Sequence, residues 1–228
     1  PKVSAVREYN PGDSVSRIHW PTTARIGKLM VKTFDQGRAS DIWVVLDQHA
    51  PTALGEGEES SDEYGATIAA STVDKYLRLQ LPVGYAAVGS EQVVLAPERG
   101  IKQRSTIFRH IAISRPAGDT PLFSLIADCE REVGRSSSLV AITAAPDGEW
   151  VDALGALQKR GVQTVAVLLD RASFGGDEGT DAARVRLVAL GVRTYLVRRG
   201  ASLAAALSES EGARLVASAY RLRREVAD

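Results

Sequence analysis

The chain has 228 residues, of which 44% are hydrophobic and 25% charged, and its 28 basic side chains balance its 28 acidic ones. This composition is typical of a globular protein with one large domain or two small ones. The zero net charge favours neither a nucleic acid nor an anionic membrane surface as partner. A single cysteine, Cys129, excludes an internal disulfide, and no apolar run approaches the roughly 18 residues of a membrane-spanning helix.

The first informative stretch, residues 7–25, mixes charges of both signs with aromatic rings and is called the signature segment below. Pro11-Gly12 indicates a turn, because proline fixes φ at one central position and glycine supplies a positive φ at the next. Neither a helical nor a strand period explains the spacing, so charge-assisted hydrogen bonds are expected to fix these side chains. The residues concerned are Arg7, Glu8, Tyr9, Pro11, Gly12, Asp13, Arg17, Ile18, His19, Trp20, Ala24 and Arg25.

Strands and helices are predicted to alternate after the signature segment. Residues 29–34 form an extended segment, and 41–47 form an apolar run closed by Asp47, which is typical of a strand buried on both faces. A helix is expected from residue 60 to 79, with Ser60 and Glu63 forming a capping box.

The rest of the chain continues this alternation. A hairpin joins residues 83–88 to 92–96. The other predicted strands are 138–143, 162–169 and 192–197, and the other predicted helices are 101–113, 121–133, 147–160, 181–190, 203–207 and 213–225. This order predicts an α/β fold with a mostly parallel sheet, right-handed crossovers and helices on both faces.

The signature segment closely resembles the motif of a bacterial family known only as domain of unknown function fifty-eight. Its members carry Arg-Glu-Tyr-x-Pro-Gly-Asp, then Arg-x-Ile-Asp/His-Trp, then Ala-Arg, which match residues 7–13, 17–20 and 24–25. The resemblance implies a von Willebrand factor A-like fold: a doubly wound, mostly parallel sheet with one antiparallel edge hairpin and helices on both faces. It also implies association with a MoxR-type AAA+ ATPase, and membrane helices ahead of the signature.

Domains similar to von Willebrand factor A hold Mg²⁺ at the carboxyl ends of their strands, where open α/β sheets bind ligands. In this sequence Asp47 matches the first aspartate of that site, and Thr120 matches its threonine. His49 and Pro51 replace the two serines, and Ala144 stands at the late aspartate position. Because Mg²⁺ prefers hard oxygen ligands in octahedral geometry, we expect no cofactor, and Asp47 and Thr120 are the candidate ligands if Mg²⁺ binds.

An acidic loop, residues 55–63, offers an alternative cation site. It carries Glu56, Glu58, Glu59, Asp62 and Glu63. These carboxylates either supply an improvised site or form a solvated loop that favours the N-terminus of the following helix. The corresponding alternative function is a metal-dependent hydrolase that uses Asp47, His49 and the loop carboxylates. The sequence shows no His-Glu-x-x-His spacing and no Gly-x-Ser-x-Gly elbow.

The signature segment has two compatible interpretations. It is either a structural strap, with Glu8, Asp13, Arg17 and Arg25 paired with one another and Ile18 and Trp20 as buried anchors, or a docking surface for a partner. In the structural interpretation Asp13 accepts hydrogen bonds and is at least partly buried.

The favoured function is a non-enzymatic protein-interaction module that works with a MoxR-type AAA+ ATPase in envelope or complex assembly. We expect residues 1–38 to pack as an N-terminal segment on a von Willebrand A-like domain of residues 39–228, as one domain overall. The chain is expected to be a soluble fragment of a longer protein, cytoplasmic and tethered to the inner face of the membrane by segments absent here. Other protein partners are not identified, and no nucleic acid is expected.

Overall fold

A computed structural model describes residues 3–9, 18–34, 41–89, 91–177 and 179–208. The chain divides into two compact units between residues 40 and 41. No helix in the described ranges is both long and apolar enough to cross a membrane.

The first unit is a two-stranded antiparallel sheet with a short helix between its strands. Strand β1 (Val3–Glu8) pairs with β2 (Met30–Phe34), and helix α1 spans Trp20–Ile26. The extended segment predicted at 29–34 is thus confirmed as β2. Regular structure does underlie both ends of the signature segment, although its spacing shows no helical or strand period: residues 7–8 belong to β1 and residues 20–25 to α1.

Proline and glycine set the limits of α1. Pro21 occupies the first turn, where its missing N–H is not needed. Gly27 ends the helix with φ of 74°, a left-handed conformation that glycine adopts without strain, and its N–H bonds the carbonyl of Thr23.

The second unit contains a six-stranded sheet. Its strands are β3 (Ile42–Asp47), β4 (Val83–Val88), β5 (Gln92–Glu98), β6 (Ser138–Thr143), β7 (Gln163–Leu169) and β8 (Arg193–Val197). Their order in the sheet is β5-β4-β3-β6-β7-β8. All neighbouring strands are parallel except β5, which is antiparallel to β4 at the edge. The predicted fold, with a mostly parallel sheet and one antiparallel edge hairpin, is therefore confirmed.

Helices cover both faces of this sheet, as the sequence predicts. They are α2 (Ser61–Arg78), α3 (Gly100–Ile113), α4 (Leu122–Glu130), α5 (Glu149–Lys159), α6 (Thr180–Ala189) and α7 (Leu203–Ala206). One apolar cluster joins the sheet to α4, α5 and α6, and includes Leu125, Leu154 and Leu187. The other joins it to α2, α3 and α7, and includes Ile68 and Ile107.

Strand β3 lies at the centre of this arrangement, with β4 on one side and β6 on the other. Five of its six residues are buried, and Asp47 is the exception at its carboxyl end. Its side chains alternate between the two apolar clusters: Trp43 packs in one and Val44 in the other. The apolar run that predicted a strand buried on both faces therefore gives that strand, and places Asp47 at the edge of the sheet.

Two local predictions differ from the structure or lie outside it. Ser60 is the N-cap of α2, but its hydroxyl donates to the carbonyl of Gly57 (2.7 Å), so it does not form the expected capping box. The 3-10 turn at Gly57–Glu59 brings that carbonyl within reach. The predicted helix at 213–225 lies outside the described residues. Cys129 is fully buried in α4.

Candidate functional site

Asp47 closes β3 and lies at the carboxyl edge of the sheet. One carboxylate oxygen accepts a hydrogen bond from the backbone N–H of His49 (3.0 Å). The other accepts a short bond from the hydroxyl of Thr143 (2.5 Å), which ends the neighbouring strand β6. Both oxygens of this carboxylate are therefore engaged by the chain itself.

The pKa of Asp47 is raised above its ordinary value because burial disfavours the charged carboxylate. The hydrogen bonds from Thr143 and from the backbone of His49 lower the pKa, but burial outweighs them. The carboxyl group thus lies in a place that disfavours its charge, with one hydrogen bond to each of its oxygens.

The loop that carries Thr120 lies beside the end of β3. Gly118 forms a parallel bridge with His49, and its carbonyl accepts the N–H of Ala50 (2.8 Å). Gly118 is required by packing, because a Cβ there would lie 2.5 Å from the carbonyl oxygen of Val88. The structure therefore brings the loop of Thr120 to the edge that Asp47 occupies, and Thr120 is half-buried.

The position expected to hold the late aspartate is occupied by buried Ala144, which follows β6. Its carbonyl accepts a hydrogen bond from a guanidinium nitrogen of Arg171 (2.9 Å). The guanidinium of Arg171 also bonds Asp177, at 2.9 and 2.6 Å, and Arg171 is itself buried. A guanidinium cation therefore contacts the backbone where related sites place an anionic ligand.

These residues do not fit a bound Mg²⁺. An octahedral Mg²⁺ site needs several hard oxygen ligands, and here His49 and Pro51 replace two hydroxyl ligands while Ala144 replaces a carboxylate. Within the described part of the chain, no three His, Cys, Asp or Glu side chains are grouped so that they could hold a metal ion.

The acidic loop does not assemble a cation site in the described residues. Glu56, Glu58 and Glu59 are exposed, and Glu59 pairs with Arg199 (2.7 Å). Asp62 and Glu63 lie in the first turn of α2, where carboxylates favour the helix dipole. The solvated-loop interpretation therefore describes these side chains better than the improvised site does.

The hydrolase interpretation places a catalytic pair at Asp47 and His49. The hydrogen bond between them joins the Asp47 carboxylate to the backbone N–H of His49 (3.0 Å). The catalytic arrangement needs a contact with the imidazole ring, which would orient a general base. No observation on the described residues therefore favours this alternative.

The structure places part of the signature segment and leaves the rest undescribed. Pro11, Gly12, Asp13 and Arg17 lie outside the described residues, so the burial of Asp13 stays a prediction. Arg7 lies in β1 opposite Val31. Tyr9 is half-buried and its N–H bonds the carbonyl of Leu29, while Glu8 pairs with Lys28 (3.2 Å).

The two expected anchors of the signature segment behave differently. Ile18 is 7% exposed and bridges Val31 of β2, so its predicted burial is confirmed. Trp20 is 62% exposed, so its predicted burial is wrong. The physical reason is that hydrogen bonds, rather than apolar packing, join α1 to β2. The helix buries none of its residues, and Ala24 and Arg25 are exposed as well.

Hydrogen bonds nevertheless hold the start of α1 on β2. The N–H of His19 donates to the carbonyl of Met30 (2.7 Å), and the N–H of Met30 donates to the hydroxyl of Thr23 (3.0 Å). The imidazole of His19 lies 2.7 Å from the hydroxyl of Thr22. The helix thus presents an exposed Trp20 from a defined position on β2.

The sheet order, the antiparallel edge strand and the loop of Gly118 at the end of the first central strand define a von Willebrand A-like domain. The family described as "Protein of unknown function DUF58" matches residues 5–173, and the chain belongs to this family. The resemblance read from the signature segment is thereby confirmed for the family and the fold.

Solved structures share this fold at low sequence identity. BatB from Bacteroides thetaiotaomicron has a TM-score of 0.55 and 14% identity over 73% of this chain and 93% of that chain. The SpRpn10 VWA domain has a TM-score of 0.51 and 9% identity over 72% of this chain and 91% of that chain.

A curated relative covers a similar part of the chain. The uncharacterized protein YeaD of Bacillus subtilis (strain 168) is 25% identical over 166 residues, which are 73% of this chain and 39% of that protein. The chain therefore spans well under half of this relative's length.

Two residues at the carboxyl edge escaped the sequence analysis. Thr143 ends a predicted strand, and Arg171 follows another, so their positions at the edge follow from the sheet pattern. Their partners do not, because the Thr143 contact with Asp47 joins residues 96 positions apart.

Proposed function

We propose that this chain is a non-enzymatic protein-interaction module that works with a MoxR-type AAA+ ATPase in the assembly of envelope or other protein complexes. The observation that carries the proposal is Trp20, a large aromatic side chain left 62% exposed on a helix held by hydrogen bonds to β2. Tryptophan is the residue type most enriched among the side chains that dominate binding energy at protein interfaces. The ATPase as partner rests on the family resemblance.

The proposal is tested by measuring binding of the neighbouring MoxR-type ATPase to the wild-type chain and to Trp20→Ala. We expect the substitution to weaken binding at least about tenfold, which is the usual loss for a central interface tryptophan. Ile101→Ala is the matched control, because Ile101 is an even more exposed apolar side chain that belongs to the second unit. Equal binding of wild type and Trp20→Ala would contradict this assignment of the surface.

The module is proposed to work without a bound Mg²⁺ at the carboxyl edge. The support is that each oxygen of Asp47 already accepts a hydrogen bond and that His49, Pro51 and Ala144 replace three of the other four ligands of related sites, while Thr120 matches the fourth. Titration of the purified chain with MgCl₂ or MnCl₂ is expected to show no saturable binding tighter than about 1 mM. A thermal upshift with Mg²⁺ that Asp47→Ala abolishes would contradict it.

The full-length protein is proposed to lie at the inner face of the membrane, tethered by segments that this sequence does not include. The family resemblance supports this, because members carry membrane helices ahead of the signature. Fractionation of cells that express the full-length protein is expected to place it with the inner membrane, with the second unit accessible to protease from the cytoplasmic side. Accessibility from the outer side only would contradict the proposed orientation.

A further inference from the structure

A groove of about 320 Å³ opens at the carboxyl edge of the sheet in the second unit. Its walls come from the segment after β3, the start of α4, the loop between β6 and α5, and Arg171. The apolar part of its lining includes Pro51, Pro121, Phe123, Pro146 and Trp150. The groove therefore lies beside the region of Asp47 and has a different, largely apolar surface.

The lining of this groove is rigid. Of the five apolar residues named above, three are prolines. Their rings fix φ, so they lose little conformational freedom when a ligand binds. Trp150 is buried, and its indole N–H donates to the carbonyl of Pro146 (2.7 Å), which fixes the ring. Phe123 is 40% exposed near the start of α4. A partner would therefore meet a preformed apolar surface, which lowers the entropic cost of binding.

Three polar side chains in the lining are engaged elsewhere. The guanidinium of Arg171 bonds the carbonyl of Ala144 and the carboxylate of Asp177. The hydroxyl of Thr52 donates to the carbonyl of His49 (2.7 Å). Asp147 is paired with Arg186, which lies in α6. The groove thus offers no free cation to an anionic ligand among these side chains.

The charge left at the mouth of the groove is negative. Glu149 lines the groove and is exposed in the first turn of α5. Within the ranges that the structure describes, this carboxylate has no ion-pair partner. An occupant with a basic side chain next to an apolar one would match both the lining and its rim.

We propose that this groove binds a short segment of a protein partner that inserts an apolar side chain flanked by lysine or arginine. The site is built entirely from residues of the second unit, and it does not depend on the ATPase partnership. It requires no metal ion, since the contacts it offers are apolar surface and the carboxylate of Glu149. It gives the module a second recognition surface for a chemically distinct sequence.

The probe is a capped pentapeptide, acetyl-Gly-Lys-Phe-Lys-Gly-amide, titrated into the isotopically labelled chain and followed by the indole N–H resonances in NMR. We expect the Trp150 resonance to shift with saturation, while those of buried Trp43 and of Trp20 in the first unit stay in place. The matched peptide with glutamate in both lysine positions is expected to bind at least about threefold more weakly, because like charges repel at the rim.

Two variants connect the binding to the groove. Phe123→Ala is expected to weaken binding of the lysine peptide about tenfold, because it removes apolar surface that the peptide would cover. Glu149→Gln is expected to weaken it about threefold and to flatten its salt dependence. Val185→Ala, at a 60% exposed apolar position in α6, is the matched control and should leave binding unchanged. Thermal midpoints of all three are measured to exclude loss of folding.

Several outcomes would overturn the proposal. They are the absence of a saturable Trp150 shift up to about 10 mM peptide, equal or tighter binding of the glutamate peptide, and an equal loss in Val185→Ala. A Trp150 resonance that moves with protein concentration alone, together with a dimer in light scattering, would identify a second copy of the chain as the occupant instead.

Discussion

Strand β3 and helix α1 both carry a tryptophan among apolar and polar neighbours, and they use it in opposite ways. In β3 all residues except Asp47 are buried, and Trp43 is completely enclosed. In α1 no residue is buried, and Trp20 has most of its side chain exposed. The difference shows that the apolar residues of β3 secure the fold, whereas Trp20 of α1 is available for other contacts.

The surroundings of the two elements explain the difference. Strand β3 is hydrogen-bonded on both edges and covered by apolar clusters on both faces, so every one of its side chains except the last meets a layer of neighbours. Helix α1 is joined to β2 by hydrogen bonds around His19 and Thr23, which fix its position without covering its surface. Four substitutions test this contrast, in order of decreasing expected effect on stability.

The largest effect is expected for Trp43→Ala. Truncating a fully buried tryptophan removes its apolar burial and leaves a cavity, at a cost of about 3–5 kcal/mol in the free energy of unfolding. Urea denaturation followed by circular dichroism measures it. Trp43→Phe is the control, and it should cost much less, because the indole N–H of Trp43 has no hydrogen-bond partner in the structure described. Similar losses in both variants would show that burial is not what holds this residue.

Arg171→Met is expected to destabilise the chain by about 1–3 kcal/mol. The substitution leaves the buried carbonyl of Ala144 without its donor, and an unsatisfied buried acceptor carries that cost. Arg186→Met is the matched control, since Arg186 pairs with Asp147 and Asp152 on the surface, and exposed ion pairs contribute about 0–1 kcal/mol. If the two variants lose the same stability, Arg171 does not fix the carboxyl edge.

The sequence predicted those features that depend on local pattern. A continuous apolar run that ends in Asp47 predicted both the burial of β3 and the position of Asp47 at the edge of the sheet. The hairpin of β4 and β5 followed from two short apolar runs around a turn. Ile18 was correctly placed as an anchor.

The features that were missed or wrongly predicted have too short a local pattern or depend on contacts distant in sequence. Helix α1 has only seven residues and begins at Trp20-Pro21, so it shows too little periodicity to be recognised. A single tryptophan in a polar segment does not reveal whether anything covers it. Thr143 and Arg171 acquire their roles from residues that the fold brings to them, and the local pattern contains no trace of these partners.

A smaller and pH-dependent effect is expected for Asp47→Asn. Because the folded-state pKa of Asp47 is raised, its protonated form favours folding, and this stability is fully present below about pH 4 and lost as pH rises through the folded-state pKa. The asparagine variant has no such dependence, so its stability relative to wild type should increase from acidic to neutral pH. Urea midpoints of both proteins at a series of pH values measure it.

The outcome that contradicts this prediction is a relative stability of Asp47→Asn that falls as pH rises. Such a result would mean that the ionised carboxylate stabilises the fold, through Thr143, His49 or a bound cation, more than burial disfavours it. Thr143→Val serves as the companion variant, since it removes the hydroxyl that bonds Asp47 and lowers its pKa, and it should extend the wild-type pH dependence to higher pH.

The smallest effect on stability is expected for Trp20→Ala. Surface substitutions away from packed or hydrogen-bonded groups change the free energy of unfolding by about 0.5 kcal/mol or less. The residues that hold α1 on β2 are His19 and Thr23, and the substitution leaves both in place. The unfolding midpoint should therefore remain that of the wild type, within the error of the urea transition.

Iodide quenching of tryptophan fluorescence tests the same point directly. Iodide reaches exposed indole rings, so the quenchable emission of the wild type should come from Trp20 and disappear in Trp20→Ala, while buried Trp43 and Trp150 continue to emit. A free energy of unfolding lowered by several kcal/mol would show that Trp20 is a buried anchor in solution. A quenchable fraction of the emission that the substitution leaves unchanged would show the same. An unchanged midpoint combined with weaker ATPase binding would separate the two roles, because a side chain that contributes to binding without contributing to folding is part of an interface.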